Sequence, residues 1–240
     1  MTTPDLLAYL FDSEPHVLWA PMAGWLAASP PFARFVETYR DKIRKKIRDT
    51  RGVEGIGGLQ AEFETAYWLL PDRGWTLAYE PYAQGKTRGP DFAVTFHNSL
   101  TFNVEVTHVG TLRSPVVEAP AAATVGQPAS NRIIDTVCGK LGQMVPGMMN
   151  FLVIVASEHT LENVDLSQAM HGLKRQVERR DAALFARYGF RGPPDFFKLY
   201  QHLSGVVLRW AGLRADPVLW LNPQAKQPVP AKVRTILARR

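Results

Sequence analysis

Between Thr101 and Val109 the chain alternates, with Phe102, Val104 and Val106 on one side and Asn103, Glu105 and Thr107 on the other. That period of two marks a β-strand with one face turned to a core. Two strand-like runs precede it, Trp75 to Tyr82 and Asp91 to Phe96, and His97-Asn98-Ser99 reads as the hairpin turn before it. Ser130 then looks like the N-cap of a helix running to about Val145, stopped by Pro146 and Gly147. The run Asn150 to Ala156 is apolar and β-branched, as expected of a buried strand. Three antiparallel strands, a crossover helix and a further strand predict a mixed sheet flanked by helices, an α/β fold.

The segments on either side fill out this plan. Residues 1–31 mix aromatic, apolar and proline residues and read as short helices and turns. A helix is expected over 32–50, where Phe35, Tyr39, Ile43 and Ile47 recur every four residues. Its basic end, Arg40 to Arg51, reads either as a solvated face or as a helix contacting phosphates. Gly55, Gly57 and Gly58 are expected to break the chain before a second helix over Leu59–Leu70. Residues 111–129 form a long Pro/Ala/Thr/Gly-rich loop. A helix is predicted over 165–188, another over 195–203, and short strands over 205–210 and 218–221. The tail from Lys226 to Arg240 is basic and reads as peripheral. The domain plan is a helical N-terminal extension (1–55), a core (56–222) and a basic C-terminal tail (223–240).

Composition narrows the function classes. One cysteine, Cys138, makes no internal disulfide and excludes a zinc ribbon or finger. No run approaches the roughly 18 apolar residues of a membrane span, and Met1 to Tyr9 shows no leader pattern, so a cytoplasmic protein without a membrane partner is expected. A net charge of +6 favours polyanions modestly.

The acidic residues around the hairpin carry the chemistry. Glu105 sits mid-strand among apolar residues, where a carboxylate is costly unless it is paired or binds a metal; an ion pair with an arginine such as Arg88 is its structural alternative. The hairpin brings Asp91, after Gly89-Pro90, beside Glu105. Two carboxylates at that spacing suit Mg²⁺ or Mn²⁺, which adds waters and phosphate oxygens. Such an ion activates water and neutralises a phosphorane. Pro194-Asp195 repeats the dipeptide without a strand glutamate to follow. His108 and the other histidines show no ligand spacing.

Gly89-Pro90-Asp91 followed by Val104-Glu105-Val106-Thr107 resembles the signature of the PD-(D/E)xK, or restriction endonuclease-like, nuclease superfamily. The upstream run Ala61-Glu62-Phe63-Glu64, followed by Gly74-Trp75, is similar to the corresponding helix of archaeal-type Holliday junction resolvases. The resemblance covers roughly residues 57–156. It implies a restriction endonuclease-like core and Mg²⁺-dependent phosphodiester hydrolysis. Asp91, Glu105 and the Val106 carbonyl would hold the ion, with Glu62 completing the shell or holding a second ion. Thr107 stands where the signature has lysine. The resemblance offers Lys140, in a Lys-x-x-Gln pattern with Gln143, as the stand-in that orients the water, supported by Gln143 or Thr107.

The partner this implies is nucleic acid, DNA first, and a homodimer is compatible with it. Two readings of other kinds stand beside the endonuclease: a catalytically inactive nucleic-acid-binding module of the same fold, and an interaction protein whose acids form an ion-pair network.

Overall fold

The computed structural model describes residues 1–70, 74–83, 89–97, 99–110, 128–157, 161, 164–213 and 215–239. It is an α/β protein with ten α-helices among those residues and one open mixed sheet of six strands in chain order. The chain divides into two compact units, Met1–Val106 and Thr107–Arg240.

The first unit begins with five helices: α1 (Thr3–Phe11), α2 (Trp19–Ala28), α3 (Pro30–Thr38), α4 (Arg40–Asp49) and α5 (Gly52–Leu69). Thr2 and Asp5 close a reciprocal capping box on α1. The Ser29 hydroxyl caps α3, whose first turn holds Pro30 and Pro31. The single helix expected over 32–50 is two helices meeting at Tyr39, whose ψ of 16° leaves the helical region. The glycines expected to break the chain instead lie inside α5. Each glycine costs only about 1 kcal/mol relative to alanine, and the buried stripe Leu59, Phe63, Ala66 and Leu69 anchors the helix.

Three strands follow, β1 (Trp75–Tyr79), β2 (Phe92–Phe96) and β3 (Leu100–Val109). β1 pairs antiparallel with β2, and β2 with β3. Trp75, Leu77, Tyr79, Phe92, Val94, Phe102 and Val104 share one buried face. Phe35 of α3 meets that face, 5.8 Å from the Tyr79 ring and 6.2 Å from Phe92. β1 stops three residues short of the expected Tyr82 because Glu80 turns left-handed, with φ at 46°.

The second unit holds the end of β3, then α6 (Ala129–Lys140) with a 3₁₀ turn over Leu141–Gln143, and β4 (Met149–Ala156). Next come α7 (Leu166–Glu178), α8 (Ala182–Tyr188), α9 (Pro193–Tyr200), β5 (Gly205–Trp210), β6 (Val218–Leu221) and α10 (Ala231–Leu237). β5 pairs parallel with β4 and antiparallel with β6. Leu152, Ile154, Val206 and Leu208 on the strands pack with Ile133, Val137, Met170, Leu173 and Phe196 from the helices. The helix expected over 165–188 breaks where Arg180 turns left-handed and Asp181 caps α8 by accepting from the amides of Ala183 and Leu184. The C-terminal tail is less peripheral than expected, since α10 buries Val233, Ile236 and Leu237. The loop predicted over 111–129 lies almost wholly outside the described residues.

Candidate active site

Antiparallel pairing places Phe92 opposite Val104. One step outward along the same register, Asp91 stands level with Glu105, both on the face away from the aromatic core. Glu105 is fully buried and Asp91 is 4% exposed. The Asp91 carboxylate takes the place of a ladder carbonyl: its Oδ2 accepts the Val106 amide at 2.8 Å. The Asp91 carbonyl accepts the Glu80 amide at 2.6 Å. Asp91 is thereby fixed between the ends of β1 and β3. The Gly89 before it admits no side chain, because a Cβ there would lie 2.6 Å from Cβ of Tyr82. The Tyr82 hydroxyl in turn donates to Asn103 Oδ1 at 3.1 Å.

Glu62 comes to this corner from α5 and is 9% exposed. Its Oε2 accepts the Tyr79 hydroxyl at 2.8 Å and the Lys46 ammonium at 2.6 Å. Burial and the charge of Asp91 push the Glu62 carboxyl above the usual carboxylate range, against the pull of Lys46. Burial also lowers the Lys46 pKa, but Lys46 faces two carboxylates, Glu62 and Glu80 at 2.9 Å, and they hold it above the usual lysine range. Glu80 adds a second cation, Lys42 at 3.1 Å. Its burial is outweighed by the two lysines, so its carboxyl lies below the usual range. The left-handed backbone of Glu80 costs a non-glycine residue on the order of 1 kcal/mol. It is the conformation in which this carboxylate meets both lysines.

Three of the predicted site residues, Glu62, Asp91 and Glu105, therefore belong to one corner of the first unit, together with Val106. Among the described residues, no group of three or more His, Cys, Asp or Glu side chains is placed to hold one ion. Asp91 and Glu105 remain the adjacent pair, and Glu62 is engaged by Lys46 and Tyr79. Thr107, Lys140 and Gln143 fall in the second unit; Lys140 closes α6 and Gln143 ends the 3₁₀ turn after it. Arg88 lies outside the described residues. His108 shares a hydrogen bond with the Ser157 hydroxyl at 3.0 Å.

The sequence reading missed Lys46, Tyr79 and Glu80. Lys46 was one of seven Lys and Arg residues between Arg40 and Arg51, and only its spacing of one turn from Lys42 set it apart. The basic run is largely neutralised within the chain: Arg44 and Arg48 both pair with Asp12, and Lys42 and Lys46 with Glu80.

Comparison with known proteins finds no matching family model, curated protein or solved structure. Among the described residues no helix is long and apolar enough to cross a membrane.

Proposed function

We propose that this chain is a metal-dependent endonuclease, a hydrolase of phosphodiester bonds in DNA, built on a restriction endonuclease-like core. The observation that carries the reading is the buried pair Asp91 and Glu105, level on adjacent strands with Asp91 fixed by the Val106 amide. Two carboxylates fit Mg²⁺, which takes one or two and completes its shell with waters and phosphate oxygens. Asp91 and Glu105 would hold the ion, with the Val106 carbonyl beside them. The ion would lower the pKa of a bound water and neutralise charge developing on the phosphate.

Glu62 acts beside this pair. Its ion pair with Lys46 fits it to keep negative charge near Asp91 rather than to supply the first oxygen ligand. The test is cleavage of plasmid and single-stranded DNA with Mg²⁺ or Mn²⁺. Asp91→Ala and Glu105→Ala are each expected to abolish it while circular dichroism stays native. Undiminished cleavage by either variant overturns the assignment.

A second reading has its own observation. The chain of contacts Lys42, Glu80, Lys46, Glu62 satisfies two of the acids with cations of the protein itself. Such a network belongs equally to a binding or interaction protein without catalysis. Calorimetry separates the two: heat of Mn²⁺ binding, lost in Asp91→Ala, supports the nuclease, and no binding supports the network.

A further inference from the structure

The formal charge of the chain is unevenly shared. Residues 1–106 hold 11 Lys and Arg against 13 Asp and Glu, while residues 107–240 hold 17 against 9. The whole positive excess therefore resides in the second unit. In the first unit Lys42, Arg44, Lys46 and Arg48 of α4 are paired with carboxylates, as described above, and Lys45 is exposed. On α7 the pattern is the reverse. Gln168, His171, Arg175 and Arg179 follow one another at spacings of three, four and four, which puts them on one face. His171, Arg175 and Arg179 are exposed, as are Arg180 and Arg191. Among the described residues Arg175, Arg179, Arg180 and Arg191 make no ion pair. Lys174 has only a long contact with Glu178, at 3.7 Å. An open groove of about 610 Å³ runs beside this face, lined by Gln168, His171, Lys174 and Arg175 and also by the carboxylates Asp165 and Glu178.

A second observation concerns Arg180. It occupies the left-handed position just past α7, with φ at 55°. Glycine is the residue that takes this conformation without cost. The adjoining helix α8 follows that rule, ending on Gly189 with φ at 72°. Arg180 forgoes the stability glycine would give and keeps an exposed basic residue just past the end of α7.

We propose that the outer face of α7, from His171 to Arg180, is a docking surface for the phosphate backbone of nucleic acid. The inference rests on the nucleic-acid reading above but not on its catalytic step. Unpaired arginines facing solvent suit this partner, because each can bind a phosphate and release its counterions.

The test measures binding of a short labelled DNA duplex to the full chain in EDTA, by anisotropy over a range of KCl. The affinity of the unaltered chain falls steeply with salt. Arg175→Gln/Arg179→Gln/Arg180→Gln loses at least about tenfold in affinity, and its salt slope shrinks by about 0.9 for each phosphate contact removed. Lys45→Gln, on α4, leaves both unchanged. Arg180→Gly is the variant safe against misfolding: it raises the melting temperature and still weakens binding. Equal affinity and slope in the triple variant overturn the proposal, as does an unaltered chain that binds no DNA, or binds only anionic vesicles. Binding without Mg²⁺-dependent cleavage refutes the nuclease reading and leaves this surface standing. Cleavage unaffected by the triple substitution does the opposite.

Discussion

Replacing Lys46 by methionine tests the corner of the candidate site through stability alone. The substitution keeps most of the aliphatic stem and removes the ammonium, leaving Glu62 with the Tyr79 hydroxyl as its remaining donor among the contacts described. Removing one partner of a buried pair costs about 3–5 kcal/mol. Lys46 keeps 27% of its side-chain surface and Glu80 keeps 28%, whereas Glu62 keeps 11%. The loss therefore falls mainly on Glu62, and the lower end, about 3 kcal/mol, is expected. Glu62 can escape part of it by taking up a proton. Its folded pKa is already raised, so the folded state binds more protons than the unfolded one, and stability falls as pH rises through that range. Without Lys46 the folded pKa rises further. The difference between the two proteins then grows with pH, by at most about 1.4 kcal/mol per unit. Urea denaturation at mildly acidic and mildly alkaline pH measures it. A small penalty at low pH and a larger one at high pH is expected, and Glu62→Gln in the same background removes the pH dependence. A penalty independent of pH refutes the argument that Glu62 is the group left uncompensated.

Other expectations follow from the same geometry. Gly89→Ala drives a Cβ into Tyr82 and destabilises the turn ahead of Asp91 by about 1–3 kcal/mol, the range for overpacking, read as a shift in urea midpoint. Cys138 is buried, and burial together with Asp135 pushes its thiol up to about 12. Thiol reagents at pH 8 are therefore expected to label it only after unfolding, and fast labelling of native protein contradicts this placement. Asp181→Ala removes the cap of α8 and costs about 1 kcal/mol, seen as a lowered melting temperature.

How much of this was legible beforehand depended on the range of each interaction. The alternation in β3 placed Glu105 mid-strand on the face opposite Phe102, Val104 and Val106; that this second face is buried too emerged only from the fold. The turn expected at His97-Asn98-Ser99 put Asp91 and Glu105 on adjacent strands, and the register that sets them level, Phe92 opposite Val104, came with the fold. Glu62 was reached through the resemblance of the run Ala61-Glu62-Phe63-Glu64, to which the apolar stripe of the helix added little. Lys46 and Glu80 were not reachable. Their meeting depends on where α4 lies against β1 and on a left-handed turn at Glu80, and neither leaves a period in the sequence. The α5 glycines misled for the opposite reason: local propensity was overridden by packing further along the same helix. The breaks at Tyr39 and Arg180 were hidden because the apolar spacing on either side is nearly continuous.

The contrast between α4 and α7 means that dissolved salt acts on the two units with opposite signs. In the first unit opposite charges sit in contact, and added ions weaken the attraction between Asp12 and its two arginines. In the second, an excess of like charge opposes compactness, and the same ions relieve that repulsion. Ionic strength is thus a dial that loosens one half of the chain while it tightens the other, and the half it tightens is the one bearing the basic face of α7.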